Sequence, residues 1–174
     1  MSAPFGIELN APLSGAEILQ DIGGNKLLVA PAKRHPLFSE YYVQVSPTYG
    51  VVWVKGVGTI IGNDANGYGT QEQISKLSSQ LALKYGASKK VDILQHGALW
   101  EESRDWVMSL LQQERSFFHI WEHSKSPELP SDLETVFLGV AAYSSSESSP
   151  IIEYASTRFK DAEQEVDADL SDLL

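Results

Sequence analysis

The chain has 174 residues, of which 43% are hydrophobic, and this length suits one sizeable core better than two domains. It contains no cysteine, which excludes disulfides, thiolate metal sites and a cysteine nucleophile. Its net charge is −10 at pH 7 and its basic residues are not clustered, so we expect no nucleic-acid partner. We find neither a signal peptide nor a run of 18 apolar residues, and therefore expect a cytoplasmic protein without a membrane partner.

The first part of the chain predicts strands around a central hairpin, with one helix before them. A short strand is expected at Phe5–Ile7, and a capping box followed by helically spaced apolar residues predicts a helix over Ser14–Ile22. Lys26–Ala30 is typical of a strand. Tyr41–Val45 and Val51–Ile61 are rich in aromatic and β-branched residues and are joined by a turn containing proline and glycine, which predicts an antiparallel hairpin.

The rest of the chain predicts two strong helices and three strands. Thr70 is expected to cap a helix that ends at Gly86, and its predicted apolar face consists of Ile74, Leu77, Leu81 and Tyr85. A second helix is expected over Glu101–Ser116, because acids stand at its start and apolar residues share one face. The predicted strands are Phe117–His123, Val136–Tyr143 and Ile151–Thr157.

These elements predict the fold class and the domain organisation. Strands outnumber helices and several are linked by short turns, so we expect an α+β fold with a mainly antiparallel sheet and two or three helices packed on one face. Residues 1–160 would form a single domain. Residues 161–174 are an acidic tail, in which Val166, Leu170 and Leu173 have helical spacing, so we expect a short helix whose apolar stripe rests on the domain or on another chain.

Turn, cap and core aromatic residues also form a pattern that extends over most of the chain. The segments that carry it are His35–Phe38, Tyr42–Pro47 with Gly50, Tyr68–Gly69, Lys84–Gly86, Gly97–Trp100, Asp105–Met108, Glu114–Arg115 and Leu129–Pro130. This pattern resembles a family of small uncharacterised bacterial proteins. Such proteins are often carried on mobile elements such as integron cassettes, and some similar ones act as immunity proteins against toxins. The resemblance indicates a fold, and it does not indicate any particular catalytic activity.

The strongest chemical motif is His119-Ile120-Trp121-Glu122-His123, which matches the H-x-x-E-H pattern of inverted zinc peptidases. On a helix the two imidazoles could share a zinc ion, with Glu122 activating the bound water. The alternating flanks favour a strand, which would place Glu122 on the opposite face from His119 and His123. We therefore predict no metal site, with these three residues as the fallback if a helix forms.

A second candidate is the glycine-rich loop before the predicted helix at Thr70. Asp64, Asn66 and Tyr68 belong to this loop, which could offer polar groups to a ligand or partner, and turn chemistry is the competing interpretation. Trp100 is a further candidate, either as the wall of a pocket or as a core residue. No P-loop, nucleophile elbow or complete dinucleotide motif is present, so we predict no cofactor and favour a protein without catalytic activity.

The sequence therefore favours a binding protein whose partner is another protein. An acidic surface and the edges of an antiparallel sheet both suit protein docking. The alternative is a small-molecule-binding domain with a pocket between sheet and helices, lined by Tyr, Trp and Phe side chains. Whether the protein forms a homo-oligomer is left open.

Overall fold

The computed structural model describes all residues from 1 to 174 and confirms the α+β class, with one eight-stranded antiparallel sheet and three helices. The strands are β1 Ala16–Gly23, β2 Lys26–Pro31, β3 Phe38–Ser46, β4 Gly50–Gly58, β5 Lys89–Leu94, β6 Arg115–Glu122, β7 Leu133–Ala142 and β8 Ser148–Ser156. The helices are α1 Tyr68–Tyr85, α2 Trp106–Leu111 and α3 Phe159–Ser171. The strand order is β1-β2-β3-β4-β8-β7-β6-β5. None of the helices combines the length and apolar character needed to cross a bilayer.

The chain divides into two compact units, each made of several segments. The first unit comprises Met1–Gly56, Pro130–Val136 and Glu153–Leu174, and it contains β1, β2, β3 and α3. The second comprises Val57–Leu129 and Phe137–Ile152, and it contains α1, β5, α2 and β6. Strands β4, β7 and β8 contribute residues to both units.

The N-terminal segment packs an aromatic ring into the core of the first unit. Phe5 lies edge-on to Tyr41, with ring centroids 4.8 Å apart, and to Tyr154, at 6.1 Å. Its backbone has a φ of +54° within a 3-10 turn over Pro4–Gly6, so the predicted strand at residues 5–7 is wrong. The turn is favoured because it brings this ring onto the buried Tyr41, where edge-to-face aromatic contacts are stabilising.

Residues 14–22 were expected to be helical, but most of them form the edge strand β1. Gly24 and Asn25, with φ of +63° and +62°, make a two-residue turn that leads directly back into β2. Consecutive left-handed residues are the geometry of tight hairpins, and the strand pairing that follows satisfies the backbone of β1. The capping-box signal fails here because hairpin pairing with β2 provides more hydrogen bonds than a short exposed helix would retain.

Helix α1 begins before Thr70, so the prediction of Thr70 as its cap is wrong. The N-cap residue is Gly67, and the carboxylate of Asp64 accepts hydrogen bonds from the backbone N–H groups of Gly69 and Thr70, both at 3.2 Å. Thr70 is fully buried inside the first turn, where its Oγ1 lies 2.8 Å from Oγ of Ser148. Its hydroxyl therefore joins the helix to the sheet and is not free to cap.

The remainder of α1 follows the sequence prediction. All four residues of the expected apolar face are buried. Gly86 follows the helix with a φ of +78°, and its N–H donates to the carbonyl of Ala82 at 2.9 Å. The carbonyl of Gly86 in turn accepts a 2.8 Å hydrogen bond from Nε1 of Trp121, which has no exposed surface. This bond fixes the end of the helix against β6.

Only a small part of the predicted second helix is α-helical. A 3-10 turn over Ser103–Asp105 leads into α2, and Gln113 then has a φ of +59°, which ends the helix. The carboxylate of Glu114 accepts the backbone N–H groups of Leu99 and Trp100 at 3.2 and 3.0 Å. The predicted continuation to Ser116 is wrong because residues from Arg115 onward pair with β5. The extended segment expected at 117–123 is present as β6.

Helix α3 covers the acidic tail, but its attachment differs from the expected one. Ala162 is buried and Val166 is half-buried, whereas Leu170 and Leu173 are exposed. Within one chain, therefore, only the start of the stripe is covered, and contact of Leu170 and Leu173 with another chain stays a prediction. Polar side chains of the first two turns of α3 also bind β3 and the turn that follows it.

Neutral donors bind two carboxylates of α3. Nε2 of the buried Gln44 donates to Glu163 at 2.6 Å. Oγ of Ser46 donates to Glu165 at 3.0 Å, and the hydroxyl of Thr48 donates to the other oxygen of the same carboxylate. These contacts use one amide and two hydroxyl groups and no basic side chain.

Replacing Asp64 with alanine should lower the free energy of unfolding by about 1 kcal/mol, because two N–H groups at the start of α1 lose their acceptor. Asp64→Asn keeps one acceptor oxygen and should lose less. Urea unfolding followed by circular dichroism measures both variants. Equal stability of Asp64→Ala and the parent protein would contradict this assignment of the cap.

Replacing Glu165 with alanine should cost about 1 kcal/mol, because the carboxylate loses two hydrogen bonds to hydroxyl groups. Asp169→Ala removes the same charge from an exposed position of the same helix and should change stability by less than about 0.5 kcal/mol. Thermal unfolding compares the two variants. A midpoint that falls equally in both would mean that the hydrogen bonds of Glu165 do not hold α3.

Candidate functional site

The loop that precedes α1 brings three of the predicted site residues close together in the chain, and two of them have structural roles. Asp64 caps the helix, as described, and its backbone N–H donates to the carbonyl of Ser146 at 3.0 Å. The carbonyl of Asn66 accepts a 3.2 Å hydrogen bond from Nε2 of Gln71. Tyr68 is mostly exposed at the first position of the helix. Of the three, the ring of Tyr68 is therefore the group most available to a partner.

This loop is fixed by a close contact between Gly67 and Trp106. A Cβ atom at position 67 would overlap Cε3 of the buried Trp106. The backbone N–H of Val107 also donates to the carbonyl of Ala65 at 3.2 Å. The start of α1 is therefore packed against α2 and is rigidly placed.

Replacing Gly67 with alanine should lower the free energy of unfolding by about 2–4 kcal/mol, because the new methyl group overlaps the indole and the residue keeps a positive φ. Gly62→Ala in the same loop is the matched control, since a Cβ there would meet no atom within 4 Å and its φ is not positive. We expect that control to unfold within about 0.5 kcal/mol of the parent in urea. Similar losses in both variants would contradict a steric role for Gly67.

Trp100 forms its hydrogen bond outside the loop that precedes α1. Its backbone N–H is bound by the carboxylate of Glu114, and its side chain is half-buried. Its hydrogen bond therefore ties the segment before α2 to the start of β6, and does not connect it to Asp64 or Tyr68. The four predicted binding residues are not joined by hydrogen bonds into one site.

The H-x-x-E-H residues lie on β6 and just after it, so the helical spacing of a zinc peptidase is not formed. His119 stacks on Trp121, with ring centroids 6.4 Å apart, which shows that these two alternate residues share a face. Glu122 forms a 2.8 Å ion pair with Lys125, and this hydrogen bond and charge lower the pKa of its carboxyl. His123 is exposed beyond the strand. No group of three or more histidine or acidic side chains in the chain could hold a metal ion.

Sequence reasoning missed a groove between α1 and the paired strands β5 and β6. It has a volume of about 250 Å³ and is lined by Gln71, Ile74, Ser75, Ser78, Lys90, Phe117 and His119. Lys90 lies directly opposite His119 in the β5–β6 register. Burial lowers the pKa of His119, and the charge of Lys90 lowers it further. No sequence signal pairs these two residues, because the register of two strands separated by α2 is set by tertiary contacts.

A second feature is the exposed surface of β1 at one end of the sheet. Seven of its eight residues are exposed, including Ile18, Leu19 and Ile22 at 56%, 55% and 47%. The strand pairs on one side only, with β2, and the register shifts between Ile18 and Gln20. Its charged residues are Glu17 and Asp21, so this edge is both apolar and acidic. Exposed apolar strand edges are uncommon, because they invite pairing with other chains.

Comparisons with known proteins identify no relative of this chain. The chain matches no protein-family model, no curated protein and no solved structure.

Proposed function

We propose that this protein binds another protein by adding an extended segment of that partner to the outer edge of β1. The observation that carries the proposal is the combination of an unpaired backbone edge with three exposed aliphatic side chains. In strand addition, main-chain hydrogen bonds supply affinity and alternate side chains supply specificity. The outer edge of β1 offers both.

The opposite edge of the sheet supports β1 as the docking strand. Strand β5 carries Lys89, Lys90 and Asp92 among its six residues, and Asp92 forms a 2.9 Å ion pair with Arg115. Charged side chains, and lysine above all, are the usual protection of a strand edge against unwanted pairing. Strand β5 also exposes one aliphatic side chain, Ile93 at 61%. Strand β1 exposes three, Ile18, Leu19 and Ile22, and has no lysine or arginine.

The negative charge of the β1 edge indicates what kind of partner would bind there. The edge carries two carboxylates and no base, in a protein of net charge −10, so a basic segment would gain from attraction at short and long range. A second copy of this chain would bring two acidic edges together, and like charges opposite one another destabilise a strand pair. The occupant that fits best is an extended, basic, β-branched segment of a different protein.

This role agrees with the immunity-like function that the sequence resemblance suggests, in which a small acidic protein neutralises a toxin in the cytoplasm. Such a role needs binding without catalysis. The alternative, a small-molecule pocket lined by aromatic side chains, has weaker support, because the groove between α1 and β6 has Phe117 as its one aromatic lining residue.

The test uses a synthetic peptide, Lys-Val-Thr-Val-Thr-Val-Lys with blocked ends, and its counterpart with glutamate at both ends. We expect the basic peptide to shift the backbone amide NMR signals of Ala16–Gly23 in a saturable way, and the acidic peptide to bind at least about tenfold more weakly. Leu19→Lys should abolish the effect. Leu83→Lys, at a residue of α1 that is 92% exposed, is the matched control and should preserve it.

Three results would contradict the proposal. The two peptides could bind equally, the shifted amides could lie outside β1, or Leu83→Lys could weaken binding as much as Leu19→Lys. Sedimentation equilibrium adds a separate check. A dimer that Leu19→Lys dissociates would show that the edge serves a second copy and not a basic partner.

A further inference from the structure

The groove between α1 and strands β5 and β6 has an apolar floor and a basic wall. The floor is formed by Ile74 and Phe117, which are 1% and 7% exposed. The wall is formed by Lys90 and His119, which face each other across the strand pair. The ammonium of Lys90 lies 5.6 Å from the centre of the Phe117 ring, so a cation–π contact holds the charge above the floor.

The basic wall has no acidic counterpart. Lys90 forms no ion pair, and the lining residues contributed by α1 are Gln71, Ser75 and Ser78 with the apolar Ile74. The acidic side chains near this wall are paired with other residues. Asp92, two residues from Lys90 and opposite Phe117, pairs with Arg115 at 2.9 Å. Glu72 pairs with Lys76 at 3.4 Å, and Glu122 pairs with Lys125. In a chain of net charge −10, this groove is therefore a local site of uncompensated positive charge.

The imidazole of His119 is held with one nitrogen free for a ligand. Its Nδ1 lies 2.7 Å from Oγ of Ser88, which occupies that nitrogen. When the ring is neutral and Ser88 donates to Nδ1, the proton of the imidazole resides on Nε2. No carboxylate is bonded to His119, so this pair lacks the third member that orients the base in a catalytic triad. The arrangement suits donation of a hydrogen bond better than activation of Ser88.

We propose that this groove binds a small organic anion, with its carboxylate or phosphate between Lys90 and His119 and its apolar body on Ile74 and Phe117. A volume of about 250 Å³ is below the range of drug-sized pockets, so the ligand is no larger than a single ring or a short chain bearing one anionic group. Hydroxyl groups of Ser75 and Ser78 lie along the same groove and can take further polar substituents.

The test measures binding of phenyl phosphate, benzoate and the neutral benzyl alcohol by NMR of the histidine ring signals. Both anions should shift the signals of His119 in a saturable way and leave those of His35, His96 and His123 nearly unchanged. A bound anion stabilises the imidazolium, so saturation should also move the pKa of His119 upward toward the ordinary histidine value. Benzyl alcohol should bind at least about tenfold more weakly, because it cannot use the charge of Lys90. Comparison of the two anions shows whether the groove prefers a phosphate or a carboxylate.

Two neighbouring lysines provide the matched variants. Lys90→Gln removes the charge that faces His119 and should weaken binding of the anions about tenfold. Lys89→Gln makes the same charge change one residue away, where the side chain is opposite Ile120 and points to the other face of the sheet, so affinity should stay within about twofold. Both positions are exposed, and both variants should fold.

The proposal would be overturned by equal weakening in the two lysine variants, which would indicate general electrostatic attraction. It would also be overturned if benzyl alcohol bound as well as benzoate, or if saturating anion left the pKa of His119 unchanged. The peptide experiment on β1 gives an independent result, because Lys90→Gln leaves the β1 edge untouched.

Discussion

An open antiparallel sheet leaves two outer strand edges without partners, and this constraint shapes the molecule. The six inner strands satisfy their backbone groups on both sides, whereas β1 and β5 do so on one side only. Strand β5 meets the constraint with charged side chains, and one of them, Lys90, also lines the groove beside α1. Strand β1 leaves its aliphatic side chains exposed. Both proposed sites therefore involve β1 or β5, the two strands at the edges of the sheet.

Parts of the fold that depend on local signals could be predicted from the sequence. The central hairpin was identified from strand composition and a turn with proline and glycine, and β3 and β4 lie there. The apolar face of α1 could be identified because the helical spacing of apolar residues does not depend on what surrounds the helix. The alternation of residues identified β6. A strand at this position does not form the helical spacing that the zinc-peptidase motif requires.

Several predictions of local structure failed where distant residues decide the structure. Residues 16–22 and 115–116 lie in segments with helical signals, yet β2 and β5 offer them strand pairing that a local pattern does not reveal. The sequence correctly placed Asp64 and Asn66 in a loop before a helix, but it assigned the cap to Thr70 and put Tyr68, the first helical residue, in the loop. The groove at Lys90 and His119 could not be found, because both residues look ordinary until the strand register brings them together.

The attachment of α3 has a consequence for the response of this protein to ionic strength. Glu163 and Glu165 are bound by an amide and two hydroxyl groups, so the contact is between a charge and a dipole and is short-ranged. Added salt therefore weakens it little, in contrast to an ion pair. The same salt screens the repulsion among the six acids of residues 161–174. Both effects favour attachment of α3 at high salt, and they oppose the weakening of the 3.2 Å ion pair between Arg158 and Asp161 at the start of the helix.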